Sequence, residues 1–273
     1  MLTEQEFAYL SREVKARAGA QIPRDLNAIA AQRLGPLARR EGCSSISEFL
    51  TSARIKQDDK LWAAIAESLV ATETRFFRDK PQFEALKNTL LPDLYAKRGG
   101  AVRVWCAGAS TGQEAYSLAM IIEDLRNEGL PTCEIVATDM SERLLDKARS
   151  GLYTQFEVQR GLPIRKLIQH FEKVGDLWRI SDRLRARVAF EQHNLLQAPT
   201  SLGRFDLVLC RHVLSAFEPT LRIATLERIA GAMASDGVLI LGEGEASPET
   251  GAFAPSAIDG VYVRDAAWAR AAA

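Results

Sequence analysis

The amino-acid sequence predicts an α/β fold, in which a mostly parallel sheet follows a helical N-terminal region. The first 85 residues carry apolar side chains at helical spacing and no convincing strand pattern. After Gly99-Gly100, strand-like apolar runs alternate with helical segments, which is the pattern of a parallel sheet with crossover helices. A chain of 273 residues, 47% of them hydrophobic and 26% charged, is an ordinary globular sequence with room for one large domain or two small ones.

Three segments predict the helical domain, to which we assign residues 1–85. The first is marked by apolar residues at helical spacing: Phe7, Leu10, Val14 and Ala18. In the second, Ser44–Leu50 resembles a cap that leads into a helix. In the third, residues 61–69 form another apolar face. Strand patterns are not evident here, so this domain is predicted to be all-helical.

Strands and helices alternate through the second predicted domain, residues 86–273. The predicted strands are Val102–Ala107, Glu134–Thr138, Val188–Glu191, Phe205–Cys210, Val238–Gly242 and Gly260–Arg264. Helices are predicted from Gln113 onward, over Glu142–Ala148 and over Leu221–Ala234. Residues 154–187 are rich in charge and do not fit the alternation, although Leu177–Ile180 is a possible strand. We therefore predict a small inserted β-subdomain there.

Charge and cysteine content exclude several classes of protein. The formal net charge is zero, so no overall basic field attracts nucleic acid or an anionic membrane. The N-terminus lacks the apolar core of a signal peptide, and no uncharged apolar run could span a bilayer, which predicts a cytoplasmic protein without membrane insertion. The cysteines form no Cys-x-x-Cys pair, and Cys106, Cys133 and Cys210 lie in apolar runs. This pattern predicts buried, reduced thiols and no metal site.

A loop of small residues follows the first predicted strand. Gly108 to Gly112 reads Gly-Ala-Ser-Thr-Gly, at the end of the sheet where ligands of doubly wound folds bind. The loop is neither Gly-x-Gly-x-x-Gly nor a phosphate loop, so a nucleoside without phosphate fits better than a pyrophosphate. S-adenosylmethionine is the common ligand of that kind. A compact strand-to-helix turn is the alternative interpretation.

An acidic residue ends the second predicted strand. Asp139 follows Val136-Ala137-Thr138, where a carboxylate can accept hydrogen bonds from both ribose hydroxyls of a nucleoside. The alternative is a cap for the helix that starts near Ser141. We predict ribose binding because the small-residue loop and the acid occur together.

Six blocks of the sequence together form a recognisable pattern: TETRFFRD (72–79), VWCAGASTGQEAYSLAM (104–120), ATDMSERLLDKARSGLY (137–153), NLL (194–196), FDLVLCRHV (205–213) and SDGVLILG (235–242). This pattern resembles the CheR family of chemotaxis receptor methyltransferases. The blocks occur in family order and span most of residues 70–245. The resemblance implies a Rossmann-like class I S-adenosylmethionine-dependent methyltransferase sheet, a small helical N-terminal domain and an inserted β-subdomain. It also implies transfer of methyl groups to glutamate side chains in the cytoplasmic domain of a chemoreceptor, with S-adenosylhomocysteine as product.

The same resemblance implies roles for individual residues. Arg78 of the Phe-Phe-Arg motif is expected to place the substrate carboxylate, for which a planar guanidinium is suited, whereas a surface pair with Asp79 is the alternative. The positions expected to contact the cofactor are Thr72, Thr74, Arg78, Gly108, Gly112, Glu114, Asp139, Asn194, Leu195, His212 and Val213. Glu114 is expected to pair with the amino group of the cofactor, and Asn194 to read the adenine edge. Each of these roles has an alternative. Thr72 and Thr74 could cap helix ends, and Glu114 could be an exposed acid in a first helical turn. Asn194 could form a turn, and His212 could be a structural histidine.

The sequence departs from the family pattern at several positions. The family usually carries Asn at His212, Tyr at Ala216, Glu at Gln113, Pro at Ala115 and Asn at Thr72. Arg33, Arg39 and Arg40 resemble a basic helix that meets the receptor, with a solvated face as the alternative. His212 and Ala216 keep open a regulatory protein that binds S-adenosylmethionine or its product with weak or no transfer.

Two further alternatives belong to other classes. One is a methyltransferase for a small molecule or nucleic acid, although zero net charge counts against nucleic acid. The other is a nicotinamide-dependent dehydrogenase, which the glycine pattern disfavours. No Ser-His-Asp or Cys-His arrangement stands out. Methylation of a carboxylate needs none, because the pKa of glutamate, about 4.3, leaves it anionic at neutral pH.

Overall fold

The computed structural model describes residues 2–70, 73–100 and 102–271, which form two compact units. The first unit comprises residues 1–72 and 216–222, and the second comprises residues 73–215 and 223–273. The second unit is a mixed α/β structure with a mostly parallel sheet, so the predicted fold class is confirmed. Within the described ranges, every helix is too short or too polar to serve as a bilayer-spanning segment.

Four α-helices build the first unit. They are α1 (Glu4–Ala18), α2 (Asn27–Arg40), α3 (Ile46–Lys56) and α4 (Asp59–Leu69). Polar side chains cap the first turns of α1, α3 and α4: Thr3 and Glu6 form a capping box on α1, the Ser45 hydroxyl accepts a hydrogen bond from the Glu48 amide on α3, and Asp58 caps α4. The predicted cap in the segment 44–50 is therefore confirmed. Trp62 and Ile65 of α4 are buried in the core of this unit.

A seven-stranded sheet forms the centre of the second unit. In spatial order its strands are β6 (Val188–Gln192), β2 (Cys133–Asp139), β1 (Val102–Ala107), β7 (Phe205–Leu209), β8 (Met233–Ile240), β10 (Val261–Arg264) and β9 (Phe253–Pro255). The first five are parallel, and β10 and β9 add antiparallel pairs. All six predicted strands are present, while β9 was not predicted.

Helices pack along this sheet and connect its strands. They are α5 (Lys80–Ala85), which continues through a π-helical turn (Leu86–Leu90) into α6 (Leu91–Arg98), then α7 (Gln113–Asn127), α8 (Glu142–Ser150), α12 (Pro219–Gly231) and α13 (Ala266–Ala271). The prediction that α12 reaches Ala234 is wrong. It ends at Gly231 because Met233 already pairs with Phe205 at the start of β8. The cysteines at 106, 133 and 210 are buried free thiols, as predicted.

The inserted subdomain is a small antiparallel sheet with short helices. Its strands, in the order β3 (Leu152–Thr154), β5 (Leu177–Ile180) and β4 (Phe171–Val174), are accompanied by α9 (Gln155–Gln159), α10 (Ile164–His170) and α11 (Asp182–Arg185). The predicted strand 177–180 is confirmed, but the sheet begins at Leu152, two residues before the predicted insertion. Tyr153 packs edge-on against Phe76 with ring centroids 5.1 Å apart. A Cβ on Gly161 would lie 2.1 Å from the Phe76 carbonyl oxygen, so the subdomain lies directly against the Phe-Phe-Arg segment.

Candidate active site

The small-residue loop turns tightly at the carboxyl end of β1. Gly108 and Gly112 have φ angles of +82° and +88°, which side chains of L-residues rarely adopt. A Cβ on Gly108 would lie 2.5 Å from a methyl carbon of Val213, and one on Gly112 would lie 2.9 Å from the Cβ of Ala148. The Gly108 amide donates to the Thr138 carbonyl at 2.8 Å, which joins the loop to β2. The loop therefore has no space for side chains at either glycine, and Val213 packs directly against it.

Asp139 connects this loop to the turn after β2. Its Oδ2 accepts a hydrogen bond from the Ser110 amide at 2.9 Å, and its Oδ1 accepts one from the Ser141 amide at 2.9 Å. The cap of α8 is Ser141, whose hydroxyl accepts from the Leu144 amide, so the capping alternative for Asp139 is wrong. Burial raises the pKa of Asp139 above its ordinary value, and the amides of Ser141, Ser110 and Met140 oppose that rise. A carboxylate has about four lone-pair sites, so beside these three amides one site can still accept from a ribose hydroxyl.

The Phe-Phe-Arg segment forms a turn with two non-glycine residues in the left-handed region. Phe77 has φ of 49° and Asp79 has φ of 56°, so Arg78 lies between two backbone conformations that are costly for side chains. The Phe77 amide donates to the buried Ser117 hydroxyl of α7 at 3.0 Å, and Phe76 is fully buried in the core. The surrounding structure therefore fixes the backbone on the N-terminal side of Arg78.

Arg78 is half-buried, and its side chain forms no ion pair among the described residues. Its Nη1 donates to the Glu73 carbonyl at 3.1 Å. Within the described residues, Arg78 does not form the ion pair with Asp79 that was considered as the alternative. Asp79 Oδ2 instead accepts from Arg211 Nη2 at 2.8 Å, from His212 Nε2 at 2.7 Å and from the Glu243 amide at 3.0 Å. The guanidinium of Arg78 can therefore serve an incoming carboxylate.

Arg211 lies at the centre of a buried polar cluster just after β7. Its side chain is 2% exposed. Nε donates to Gln82 Oε1 at 2.8 Å, Nη1 to Glu114 Oε2 at 2.8 Å, and Nη2 to Asp79 Oδ2 at 2.8 Å and to the Arg78 carbonyl at 2.5 Å. The guanidinium also lies over the ring of Phe83, 5.1 Å from its centroid. All three nitrogens of the guanidinium are thus engaged.

Sequence analysis did not single out Arg211. The available signal was a charged residue directly after the apolar run Phe205–Cys210. A charge at the end of a buried strand has to find partners, because an unpaired buried charge is costly. Those partners come from three distant segments, the Phe-Phe-Arg turn, α5 and α7, so the sequence did not reveal them.

The pKa values of the two carboxylates bound to Arg211 are shifted in opposite directions. Burial raises the pKa of Glu114, and the charge and hydrogen bond of Arg211 offset only part of that rise. Burial also acts to raise the pKa of Asp79. There the Glu243 amide, the His212 ring and the charge of Arg211 outweigh it, so the pKa lies below the ordinary value. The three donors on a single Asp79 oxygen account for the difference. Asp79 is therefore a firmly ionised anchor.

His212 occupies a strained position beside this cluster. Its φ is 60°, a region in which Asn, Asp and His are the most frequent non-glycine residues. Its amide donates to Glu245 Oε2 at 2.6 Å. A Cβ on Gly242 would lie 2.5 Å from His212 Cε1, so the ring packs over that glycine. The departure from the Asn usual in the resembling family is therefore compatible with this backbone.

The segment after β6 lies beside the end of β2. The Asp139 carbonyl accepts a hydrogen bond from the His193 amide at 3.0 Å. Asn194 Oδ1 accepts from the Leu196 amide at 3.0 Å, which forms the turn considered as an alternative, and Leu195 is buried. This contact brings the candidate adenine-binding residues next to the candidate ribose acceptor.

The predicted site residues thus divide into three groups. Those at the carboxyl edge of the sheet are Gly108, Gly112, Glu114, Asp139, Asn194, Leu195, His212 and Val213. Arg78 and the half-buried Thr74 belong to the Phe-Phe-Arg segment, which the Arg211 cluster ties to that edge. Thr72 lies outside the described residues. A cavity of about 570 Å³ opens beside this segment, and Phe77 and Asp79 are among the residues that line it.

Comparison with known proteins agrees with this geometry. The family model described as "CheR methyltransferase, SAM binding domain" matches residues 72–259. The chain belongs to the CheR methyltransferase family. It is 31% identical over 248 residues to chemotaxis protein methyltransferase 1 of Vibrio cholerae, covering 89% of this chain and 90% of the relative. It is 35% identical over 224 residues to chemotaxis protein methyltransferase 1 of Pseudomonas aeruginosa, covering 80% and 81%. The predicted family and the predicted S-adenosylmethionine-dependent methyltransferase activity are confirmed.

Other similarities are of the same kind. The chemotaxis protein methyltransferase of Escherichia coli is 31% identical over 249 residues, which cover 89% of this chain and 85% of that protein. Among solved structures, a magnesium protoporphyrin IX methyltransferase from Synechocystis with bound S-adenosylmethionine aligns with a TM-score of 0.37 at 14% identity, covering 68% of this chain and 77% of that one. The chemotaxis methyltransferases to which the chain is similar do not favour the regulatory alternative.

The residues at the sheet edge fit the cofactor of a CheR methyltransferase. The glycines at 108 and 112 let the loop turn tightly without side chains, since any side chain there would strike Val213 or Ala148. Asp139 retains a lone-pair site for a ribose hydroxyl, and its position at the end of β2 is the one that dinucleotide-type folds use for that purpose. These features are compatible with a nucleoside ligand at this edge of the sheet.

Proposed function

We propose that this protein methylates glutamate side chains in the cytoplasmic domain of a chemoreceptor, acting in the cytoplasm and releasing S-adenosylhomocysteine. The named relatives are chemotaxis methyltransferases that are 31% to 35% identical over most of this chain, which supports the substrate class. The structural support comes from Arg78. Arg78 is a half-buried residue that lies between two strained residues, and its guanidinium forms no ion pair within the described residues.

Each site residue has a proposed task. Asp139 accepts a hydrogen bond from the ribose, and Asn194 and Leu195 border the adenine. The methionine end of the cofactor is bordered by Gly108, Gly112, Glu114, His212 and Val213, together with Thr72 and Thr74. Arg78 approaches the cofactor and orients the substrate carboxylate, to which a planar guanidinium can donate two parallel hydrogen bonds.

The reaction needs alignment rather than a base. S-adenosylmethionine supplies a methyl group on a positively charged sulfur. A receptor glutamate with a pKa of about 4.3 is already a nucleophilic anion at neutral pH. The protein therefore has to orient that carboxylate and exclude water, which is catalysis by proximity and orientation. Arg78 is suited to the first task because it can hold the carboxylate without taking its charge away.

Methyl transfer to a purified chemoreceptor cytoplasmic fragment tests the proposal. With labelled S-adenosylmethionine, the wild-type protein should form base-labile methyl esters on the fragment. Arg78→Ala should lower the transfer rate by about 100-fold, the scale expected when a reacting group is misplaced. Arg78→Lys should restore little, because an ammonium lacks the two-pronged geometry.

The matched control is Arg204→Ala, an exposed arginine at the opposite edge of the sheet. It should transfer at the wild-type rate. Affinity for S-adenosylhomocysteine, measured by calorimetry, should stay within about threefold in every variant if Arg78 acts mainly on the substrate. Absence of methyl esters with the wild-type protein would refute the substrate class. A wild-type rate in Arg78→Ala would remove Arg78 from the site.

A further inference from the structure

The peptide that follows Arg78 is bound by Arg211. Arg211 Nη2 donates both to the Arg78 carbonyl at 2.5 Å and to the Asp79 carboxylate at 2.8 Å. These two acceptors belong to consecutive residues, so one guanidinium nitrogen closes the turn immediately after the Arg78 side chain. The Phe77 amide is bound on the other side by the Ser117 hydroxyl at 3.0 Å. Arg78 is therefore anchored through the backbone on both sides.

We propose that Arg211 is a positioning residue for methyl transfer, which directs the Arg78 guanidinium toward the substrate by fixing the backbone on its C-terminal side. This inference rests on the proposed function of Arg78. Arg211 is not a catalytic residue in this scheme, because it is 2% exposed and acts only through the groups that it binds.

The turn needs such a tie because its conformation is unfavourable by itself. Phe77 and Asp79 have φ angles of 49° and 56°, and side chains in that region persist only where neighbouring structure enforces them. Without the bonds from Arg211, the peptide between Arg78 and Asp79 can relax toward negative φ. Because the Cα–Cβ direction of Arg78 depends on these dihedral angles, the guanidinium would then point elsewhere.

The side chain of Arg211 is itself fixed by groups near the ends of two strands. Arg211 lies two residues after the end of β7, and its Nε donates to Gln82 Oε1 at 2.8 Å. Gln82 is buried, and its amide nitrogen donates to the Leu241 carbonyl, just after β8, at 2.8 Å. Glu114 of α7 accepts from Nη1 at 2.8 Å. The central strands thus transmit their fixed geometry to the Phe-Phe-Arg turn through one side chain.

Lysine cannot reproduce this arrangement. The acceptors lie on the Arg78 carbonyl, Asp79, Gln82 and Glu114, which surround the planar guanidinium, and an ammonium is a compact point charge with three donors. Arg211→Lys therefore keeps the buried positive charge near both carboxylates while losing part of the tie to the turn. That separation makes it the informative variant.

The experiment is a double-mutant cycle on the full-length protein. The variants are Arg211→Lys, Arg78→Ala and the double variant, with Arg98→Lys as control. Arg98 likewise donates to two carboxylates, Asp206 and Asp236, but at the amino ends of the strands. Transfer to the chemoreceptor fragment gives kcat, and calorimetry gives the affinity for S-adenosylhomocysteine. Arg211→Lys should lower kcat by about tenfold or more and change the affinity by less than about threefold.

The decisive readout is the double variant. If Arg211 acts through Arg78, Arg211→Lys should cause no further loss of kcat in the Arg78→Ala background. Losses that multiply would overturn the positioning role, as would a wild-type kcat in Arg211→Lys. Either result leaves the proposed function of Arg78 intact. A wild-type kcat in Arg78→Ala instead overturns that proposed function and this inference together.

A second variant covers the case in which Arg211→Lys does not fold. Gln82→Leu keeps Arg211 and both of its carboxylates and, among the acceptors of Arg211, removes only that of Nε, a smaller loss than that of a buried charge. It should also lower kcat in the wild-type background and have no further effect in the Arg78→Ala background. Independent losses here would count against the inference in the same way.

Discussion

The two ends of the central strands each carry an arginine bound to two carboxylates, but in different surroundings. At the amino ends, Arg98 donates to Asp206 at 2.6 Å and to Asp236 at 2.5 Å, and its side chain is 22% exposed. At the carboxyl ends, Arg211 donates to Asp79 and Glu114, both at 2.8 Å, and is 2% exposed. The arginine at the amino ends thus remains in contact with water, whereas the arginine at the carboxyl ends is almost fully buried.

The difference in burial indicates different roles for the two arginines: ordinary stabilisation at the amino ends and formation of a site at the carboxyl ends. Exposed ion pairs contribute little, because water and salt screen them. A buried pair gains little over apolar residues of the same shape, but losing one partner strands a charge in the interior. The Arg211 cluster is therefore a demanding arrangement that a stability requirement alone does not explain. Its retention beside Arg78 is consistent with a role in shaping the site.

Breaking the buried cluster should have the largest effect on stability. Asp79→Asn should lower the free energy of unfolding by about 3–5 kcal/mol, because the buried Arg211 loses one of its two compensating carboxylates. Urea unfolding of the wild type and of Asp79→Asn at neutral pH measures this difference in the free energy of unfolding. The cluster is not a stabilising unit if Asp79→Asn costs no more than loss of an exposed pair.

The pH dependence of the same variant tests the ionised state of Asp79. Its native pKa is lowered, so the stability that it contributes is fully present above the unfolded-chain pKa of about 3.9. The contribution is lost as the pH falls through the lower native value. The difference between wild type and Asp79→Asn should therefore be the same near pH 7 and pH 5 and should shrink near pH 3. Shrinkage that is complete by about pH 5 would indicate a raised pKa instead.

Two glycines, one at each end of the sheet, differ in the space around them. Gly108 and Gly129 have φ angles of +82° and +92°, but a Cβ would meet Val213 at 2.5 Å in the first case and nothing within 4 Å in the second. Gly129→Ala should cost only the left-handed strain, about 1–2 kcal/mol. Gly108→Ala should add about 1–3 kcal/mol of overpacking.

Gly108→Ala should also weaken S-adenosylhomocysteine binding, because the loop or Val213 has to move. Urea unfolding and calorimetry on both alanine variants measure these effects. Equal costs in unfolding, together with unchanged binding, would show that the Gly108 loop tolerates side chains and is only a compact turn.

The contrast also shows what the sequence could predict. The loop from Gly108 to Gly112 and the acid at Asp139 are local features, each encoded by residue type directly after an apolar run, and both were identified. The four acceptors of Arg211 belong to Arg78, Asp79, Gln82 and Glu114. These residues are far from Arg211 in the sequence, and only folding brings them together. The end of α12 at Gly231 was missed for a related reason, since the pairing of Met233 with Phe205 overrides local helix propensity.

Asp139 and Asp206 extend the comparison to ligand binding. Both carboxylates accept backbone amides, from Ser110 and Ser141 in one case and from Arg103 in the other. Only Asp139 lies at the carboxyl edge. Asp139→Asn should weaken S-adenosylmethionine binding by about tenfold or more, since a charge-assisted hydrogen bond is worth roughly 1.5–3 kcal/mol. Asp206→Asn should leave the affinity unchanged. Calorimetry that finds the two variants equal would place the ribose elsewhere.

The smallest effect is expected from Arg98→Gln at the amino ends of the strands. Asp236 is 49% exposed, so water can replace the guanidinium there. Asp206 keeps a second donor, the Arg103 amide at 2.9 Å. No buried charge is therefore stranded, and the free energy of unfolding should fall by no more than about 1 kcal/mol.

Cofactor affinity and methyl transfer should be unchanged in Arg98→Gln, because no contact of Arg98 reaches the carboxyl edge. Urea unfolding, calorimetry and the transfer assay on this variant complete the comparison. A loss of stability as large as that of Asp79→Asn would mean that exposure does not distinguish the two arginines. A loss of transfer at unchanged stability would mean that the amino ends also shape the site, and the division between a stabilising end and a site-forming end would have to be abandoned.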